Sequence, residues 1–291
     1  DVRGDEIYLK LQDMIKGFNG VAPEVLRPQE PKQTAPRVKI IKDRFVEAQI
    51  GIAWHISDIK DEDTPAIDLL SVLLGSSQSS KLRETIVIYK TLATDIFAYS
   101  YTPRAKGLFI VGAGLPFVNV PAALKEIFDI VLRYKYDKFS YAEVNKAIVQ
   151  VESDDIFSIT TMQGRARKLG FYQMMTGDIN FGKRYLNRIR SLTPEDLYRV
   201  ARKYFTYENM SVVILLPDST QDNIITEEQI LKIYKETEDF YSKRERERET
   251  KKEIYKKVLK SGITLIVEQN SRLPIVSVRV ASLGGVRLED E

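Results

Sequence analysis

Few residues in this chain have the type and spacing to do chemistry. The single histidine, His55, has Ser57, Asp58 and Asp61 close by in sequence. A nucleophile–histidine–carboxylate relay needs those groups to converge in space, and neighbours along one extended segment do not. His55 therefore reads as a structural or surface residue. The stretch Gly75 to Lys81 has the glycine and serine content of a phosphate loop, but it lacks the second glycine directly before a Lys-Ser/Thr pair. It also follows a helical pattern rather than a strand. Gly112-Ala113-Gly114 stands late in a strand pattern with Pro116 behind it and no third glycine, which argues against a dinucleotide turn. Glu152, Asp154 and Asp155 could in principle bind a hard cation. On a helix 152 and 155 share a face and 154 does not, and no EF-hand spacing surrounds them. Asp61-Glu62-Asp63 suits a helix N-terminus, where the macrodipole favours negative charge. Residue types and spacing thus assign no catalytic, cofactor-binding or metal-binding side chain.

Composition narrows the chemistry further. The absence of cysteine excludes disulfides, thiolate-held zinc, iron–sulfur clusters and thiol catalysis. One histidine cannot supply a site built on two or three imidazoles. Lysine and arginine number 44 against 41 acidic residues, a balance that excludes a strongly polyanion-seeking protein on bulk charge. Between Lys243 and Lys257, basic residues outnumber acidic ones. That run reads as a solvated helix, and the competing reading is an anion or nucleic-acid contact. No apolar run approaches the length of a membrane span. At 291 residues and 43% hydrophobic, the chain is too apolar to be disordered as a whole and can bury a sizeable core. It begins with Asp rather than Met, so missing targeting signals carry no meaning.

The elements that must position any site follow from periodicity. Ile7, Leu11, Met14, Ile15 and Phe18 fall on one helical face, ended by Gly17, Gly20 and Pro23. Four prolines between 22 and 36 mark an extended connector. Ala48, Ile50, Ile52, Trp54 and Ile56 alternate with less apolar residues, the pattern of a half-buried strand. Thr64 reads as an N-cap, with Pro65 at the first helical position and an apolar, buried helix behind it. A polar loop at 75–80 leads to a second helix. Strands are predicted at 95–101 and 107–115, joined as a hairpin through Pro103. Leu124, Ile127, Phe128, Val131 and Leu132 form a helical core stripe, and another helix starts near Ser140. Thr193-Pro194-Glu195-Asp196 resembles a capping box ahead of Leu197, Val200, Ala201, Tyr204 and Phe205. Ser211 to Leu216 reads as a short apolar strand.

Hairpins followed by consecutive helices, without strict alternation, give an α+β fold: a two-layer domain whose largely antiparallel sheet is packed by helices. Four segments are expected. Residues 1–35 hold a helix and the Pro-rich connector, 36–218 the α+β domain, 219–253 a charged helical linker, and 254–291 a pair of strands. That pair, around Ile263 to Val267 and Val276 to Val280, has no helix to cover it and reads as the opening of a further domain, cut short. Uncovered, those strands are expected to be disordered or borrowed into a neighbour's sheet edge, a route to self-association.

The order and wording of these segments resemble the inverzincin zinc metallopeptidases, the family of pitrilysin, insulysin and the mitochondrial processing peptidase. One matching region is Ser79-Ser80-Lys81-Leu82, Leu92-Ala93-Thr94, Ala98-Tyr99-Ser100-Tyr101-Thr102-Pro103 and Gly107-Leu108-Phe109, with a later match from Gly182-Lys183-Arg184 to Thr193-Pro194-Glu195-Asp196-Leu197. The other runs from Leu259-Lys260-Ser261-Gly262 to Leu288-Glu289-Asp290 and is similar to the opening strands of a family half, just before its His-x-x-Glu-His helix. The resemblance implies an internal fragment: the last helix of a first domain, a complete second domain, a linker between halves, and the start of a third domain. In the family such halves enclose a chamber that takes in peptides.

The family's zinc is held by two histidines and a distant glutamate, and the motif glutamate activates the bound water. That set is absent here, so the resemblance implies no metal or cofactor in this fragment and zinc in the full-length parent. The half without zinc usually lends the substrate an arginine and a tyrosine. A gapless match places those positions at Val87 and Thr94, with Arg83 one turn early. The zinc motif is then expected upstream of residue 1 and the Arg/Tyr pair in the second half. The function implied is a non-catalytic, chamber-walling and half-joining fragment of a zinc-dependent peptidase that hydrolyses peptides. Its partners would be peptide substrates and the other half of the same chain, with no nucleic acid and no membrane span. The alternative is a zinc-less scaffold subunit of the same fold, like the core proteins of the respiratory cytochrome complex.

Overall fold

The computed structural model describes residues 3–21, 30–220, 224–250, 254–268 and 277–279. Contacts divide the chain into two units, residues 1–33 and 34–291.

The first unit holds α1 (Gly4–Met14), with Asp5 and Glu6 in its first turn, where they complement the helix dipole. Its apolar face forms as the spacing predicts, yet α1 buries none of its residues. Ile7 is 41% exposed and Phe18 82%. Residues 22–29 of the predicted connector lie outside the described residues.

The second unit is built on a five-stranded sheet: β1 (Arg37–Asp43), β2 (Ala48–Ile56), β3 (Asp95–Tyr101), β4 (Gly107–Leu115) and β5 (Met210–Pro217). Their order is β1-β5-β2-β4-β3, and only the β1–β5 pair is parallel. The expected strands at 48–56, 95–101 and 107–115 appear with those bounds. The reason is a strict period of two. In β2, Ala48, Ile50, Ile52, Trp54 and Ile56 are buried, and the residues between them are not. Register follows, because a one-residue slip would turn that whole set to solvent. Trp54 and Phe109 both pack on Phe205, with ring centroids 5.0 and 4.8 Å apart.

Helices cover the face that receives these side chains. They are α2 (Thr64–Ser71), α3 (Val120–Tyr136), α4 (Tyr141–Ser158), α5 (Met162–Thr176), α6 (Phe181–Arg190) and α7 (Pro194–Tyr204). The predicted α3 stripe is fully buried. Ser140 and Thr193 each close a capping box, with Glu143 and Asp196 respectively. The N-cap of α2 is a correction. Asp63 holds that position, and Thr64 sits inside the first turn, its Oγ1 donating to the Asp58 carbonyl at 2.6 Å. The polar loop after α2 also starts later than expected, because the helix runs on as a π-helical turn through Val72–Ser76. A second π-helical segment spans Arg83–Tyr89. Gly75 is required there: a Cβ would overlap the backbone of Ala98 on β3.

Two further elements add to the expected picture. The charged helix α8 (Glu227–Thr250) is not solvated on all sides. Ile230, Tyr234 and Tyr241 are buried, and Tyr234 packs edge-on to Phe128 of α3 with centroids 5.3 Å apart. The apolar spacing of those three was hidden by the charge around them. In the tail, β7 (Thr264–Glu268) pairs antiparallel with β6 (Ile254–Val258). Apart from 277–279, the expected strand at 276–280 lies outside the described residues.

Candidate functional site

The sequence candidates do not converge. His55 faces Leu108 across the β2–β4 ladder, and its carbonyl accepts from Asn209 Nδ2 at 2.9 Å. The hydroxyl of Tyr204 donates to Ser57 Oγ at 3.3 Å. The carboxylates of Asp58 and Asp61 accept from the backbone N–H groups of Lys60 and Asp63, both at 2.8 Å, and so shape the turn leading into α2. Glu152 pairs with Arg190, Asp155 with Lys168, and Asp154 accepts from Gln150 at 3.3 Å. Among the described residues no group of three His, Asp or Glu side chains converges as a metal site. A zinc set with two histidines does not fit a chain that has one.

What the fold does assemble is a groove beside β3, the last strand of the sheet. Gly75, Ser76, Ser77 and Gln78 form one wall, and Asp95 to Tyr99 form the other, with Arg83 at its rim. The wall is locked: Ser76 Oγ donates to the carbonyl of Ala98. The outward side chains of β3 make an aromatic row. Phe97, Tyr99 and Tyr101 are 42, 44 and 57% exposed, and the Phe97 and Tyr99 rings lie 5.8 Å apart. Phe97 lies directly over Gly112 of β4, so the glycine pair at 112 and 114 serves packing rather than phosphate binding. The two positions matched to the family's Arg and Tyr behave differently. Val87 packs against the core, and Thr94 Oγ1 donates to Glu47 at 3.3 Å. Arg83, the first residue of the π-helical segment and one turn before Val87, is the one that lines the groove. Such a groove offers flat apolar rings and opposite charges on Arg83 and Asp95. It can grip an extended chain by its side chains, and it presents no group placed to break a bond.

Two titratable clusters on α2 carry perturbed groups. Asp63 accepts from Lys203 at 2.5 Å, pairs with Arg199 at 2.7 Å and accepts from the Tyr204 hydroxyl at 3.0 Å. Burial works against its charge, but these bonds outweigh it and hold the carboxyl below the usual range. Lys203 is raised in return, first by the same bond. Asp68 accepts from Ser100 of β3 and from the Tyr185 hydroxyl of α6, the latter at 2.6 Å. Here burial dominates, and it pushes the carboxyl up. Tyr185 is raised well above the ordinary tyrosine range by burial and by Asp68. Tyr172 is pushed up to about 12 by burial, then by Asp155 and Asp68. No spacing signal along the sequence points to the Asp68–Tyr185 contact, which joins α2 to α6 across three intervening helices and a hairpin.

Comparison with known proteins bears on the fold just described. A sequence profile described as "Peptidase M16 inactive domain" matches residues 2–151. A curated zinc protease, PqqE of Helicobacter pylori, is 28% identical over 214 residues, covering 73% of this chain and 48% of the relative. The crystal structure of a protease from Helicobacter pylori superposes with a TM-score of 0.69 at 25% identity, over 75% of this chain and 53% of that one. A peptidase M16 inactive domain from Pseudomonas fluorescens superposes with a TM-score of 0.61 at 16% identity, over 69% of this chain and 48% of that one. The chain thus spans about half the length of these relatives.

Proposed function

The chain belongs to the M16 peptidase family, matched through its inactive domain, and from that premise we propose that it works without a catalytic centre of its own, walling the peptide chamber of a zinc-dependent peptidase and joining that enzyme's two halves. The zinc belongs to the whole protein and is held by residues outside this chain. The observation that carries the reading is the groove along β3, lined by exposed Phe97 and Tyr99 with Arg83 and Asp95, the aromatic row continuing along the strand to exposed Tyr101. Soluble proteins expose such aromatic rows where they meet a ligand or partner. Rings that stay rigid as they bind suit a peptide of varied sequence, because they add contact area at small entropic cost. The firm packing of α8 on α3 supports the joining role. A helix that leads onward from the domain can transmit position only if its own base is fixed.

The test uses the whole protein, with this chain alone as control. The whole protein should hold one zinc and cleave peptides, and the chain alone should do neither. Replacing Tyr99→Asp in the whole protein should raise KM for peptides several-fold while zinc content stays unchanged. Zinc-dependent cleavage by the chain alone overturns the non-catalytic reading. An unchanged KM removes the groove from the peptide path. A whole protein without zinc shifts the reading to a scaffold subunit.

A further inference from the structure

Helices α5 and α6 are held to the domain by little packing. α5 buries none of its residues, and α6 buries only Gly182 and Ile189. Met162, Leu169, Phe171 and Met174 on α5 are all more than 40% exposed. The layer therefore relies on a few polar ties. Lys168 of α5 pairs with Asp155 of α4, Arg190 of α6 pairs with Glu152 of α4, and Tyr185 of α6 donates to Asp68 of α2 at 2.6 Å. Arg188 of α6 also pairs with Asp196 of α7 at 2.9 Å and Ile189 is fully buried, so the C-terminal end of α6 is anchored, and the Tyr185 tie holds the middle of the helix to α2.

That tie is chemically unusual. Asp68 receives hydrogen bonds from two hydroxyls, Ser100 on β3 and Tyr185 on α6, and neither brings a positive charge. Of the other titratable groups, Tyr172 of α5 interacts with Asp68, and Asp155 of α4 interacts with both Tyr172 and Tyr185. Asp155 is itself paired with Lys168 of α5. On its own helix, the backbone carbonyl of Asp68 accepts from Ser71 Oγ at 2.7 Å. We propose that the Asp68–Ser100–Tyr185 contact is a proton-operated latch, closed onto α6 while Asp68 keeps its proton and loosened when it gives that proton to solvent. The protonated carboxyl is neutral. It accepts from Tyr185 through one oxygen and donates through the other to Ser100, whose hydroxyl oxygen is free to accept. The ionised form still accepts from both hydroxyls, but no cation stands beside it and its charge has reduced access to water. The structure relieves this most readily by lifting the N-terminal part of α6, and α5 with it, because the fully buried side chain of α6, Ile189, lies at its other end. The elevated carboxyl at Asp68 agrees with this direction. The latch does not depend on any reading of the peptide groove.

Hydrogen exchange of the full chain, followed by mass spectrometry over a pH series from acid to neutral and corrected for intrinsic exchange, tests the idea. The expected result is that protection of the 162–190 amides falls by roughly tenfold as Asp68 ionises, since one pKa unit corresponds to a tenfold change in equilibrium. The amides of β2, β4 and β5 should hold steady. Asp68→Asn should make protection of the α5–α6 layer independent of pH. Tyr185→Phe keeps the carboxyl but removes a donor to its charged form, so it should move the transition to higher pH. A flat profile in the unmodified chain overturns the latch. So does an unchanged pH response in Asp68→Asn, or a loss of protection spread evenly over the sheet. Should Asp68→Asn not fold, an unmoved transition in Tyr185→Phe overturns it as well.

Discussion

Asp63 opens helix α2 and Asp68 follows in its second turn, and the two anchor different parts of the domain by opposite means. Asp63 ties α2 to α7 through Arg199, Lys203 and Tyr204. Asp68 ties it to α6 and β3 through two hydroxyls. One carboxylate is surrounded by cations and must be charged to work. The other has only neutral donors and works better uncharged. The same side chain on the same helix thus acquires opposite pH behaviour from its partners alone. The difference also tracks packing. α7 buries Pro194, Leu197, Val200 and Ala201, so its ion pairs reinforce a docked helix. The α6 side has little apolar contact for its hydrogen bonds to reinforce.

Asp63→Ala should break this contrast most visibly. It removes both ion pairs and leaves the Tyr204 hydroxyl with Ser57 alone. The carboxylate is 6% exposed, but the two cations are 51 and 53% exposed and can turn to water. A loss of about 2 kcal/mol is expected, at the low end for a buried pair. Because the folded value of Asp63 lies below its unfolded one, its contribution is complete above the ordinary carboxylate range and disappears as pH falls through the folded value. Urea midpoints of the variant and the unmodified chain should therefore differ at neutral pH and approach each other in acid. A gap that persists in acid would show packing rather than charge at work.

A smaller effect separates the two helices at their starts. Thr193 closes a capping box at α7, and Asn180 makes no side-chain bond at the start of α6. Thr193→Ala should cost about 1 kcal/mol and Asn180→Ala a few tenths at most, roughly, as read from thermal or denaturant unfolding. Equal losses would mean that α6 is better anchored than its geometry indicates.

Asp68→Asn should have the smallest effect, and its sign should be the reverse. In the window between the unfolded carboxylate value and the raised folded one, the folded state holds a proton that the unfolded state has released. Stability therefore declines as pH rises through that window. An asparagine does not titrate. Thermal melts should show the variant equal to or slightly above the unmodified chain at neutral pH, within about 1 kcal/mol, and level with or below it in acid. A variant clearly less stable at neutral pH would place Asp68 in the same class as Asp63.

How much of this was legible in the sequence depends on the range of the interaction. The strict alternation from Ala48 to Ile56, the Thr193–Asp196 box and the α3 stripe are local patterns, and each produced its element with the expected bounds or close to them. β1 was missed because Arg37, Lys39 and Lys42 break up its apolar signal at a sheet edge. α5 and α6 were missed because their faces are too exposed or too charged to show a core stripe. Thr64 was misread as a cap because hydroxyl residues at a helix start usually play that part, and here a backbone carbonyl captures the hydroxyl first. The sequence match pointed to Val87 and Thr94, and neither lines the groove, whereas Arg83 does. The local sequence carries no signal for that, because the groove forms only where the 75–78 segment comes against β3. The Asp68 cluster left no sequence trace. Its members lie on separate elements, and only the tertiary fold brings them together.

The parallel pairing of β1 with β5 bears on the order in which the domain can be completed during translation. β1 is made first and sits at the sheet margin, and its only neighbour is β5, the last strand of that sheet to leave the ribosome. At bacterial or eukaryotic elongation rates the wait is on the order of ten seconds. Throughout it Val38, Ile40 and Ile41 have no strand to join. The basic residues between and around them, Arg37, Lys39 and Lys42, keep that nascent segment from pairing with a stranger. Sheet closure thus waits for β5, and a stop before Met210 would leave β1 without a partner while β2, β4 and β3 could still pair.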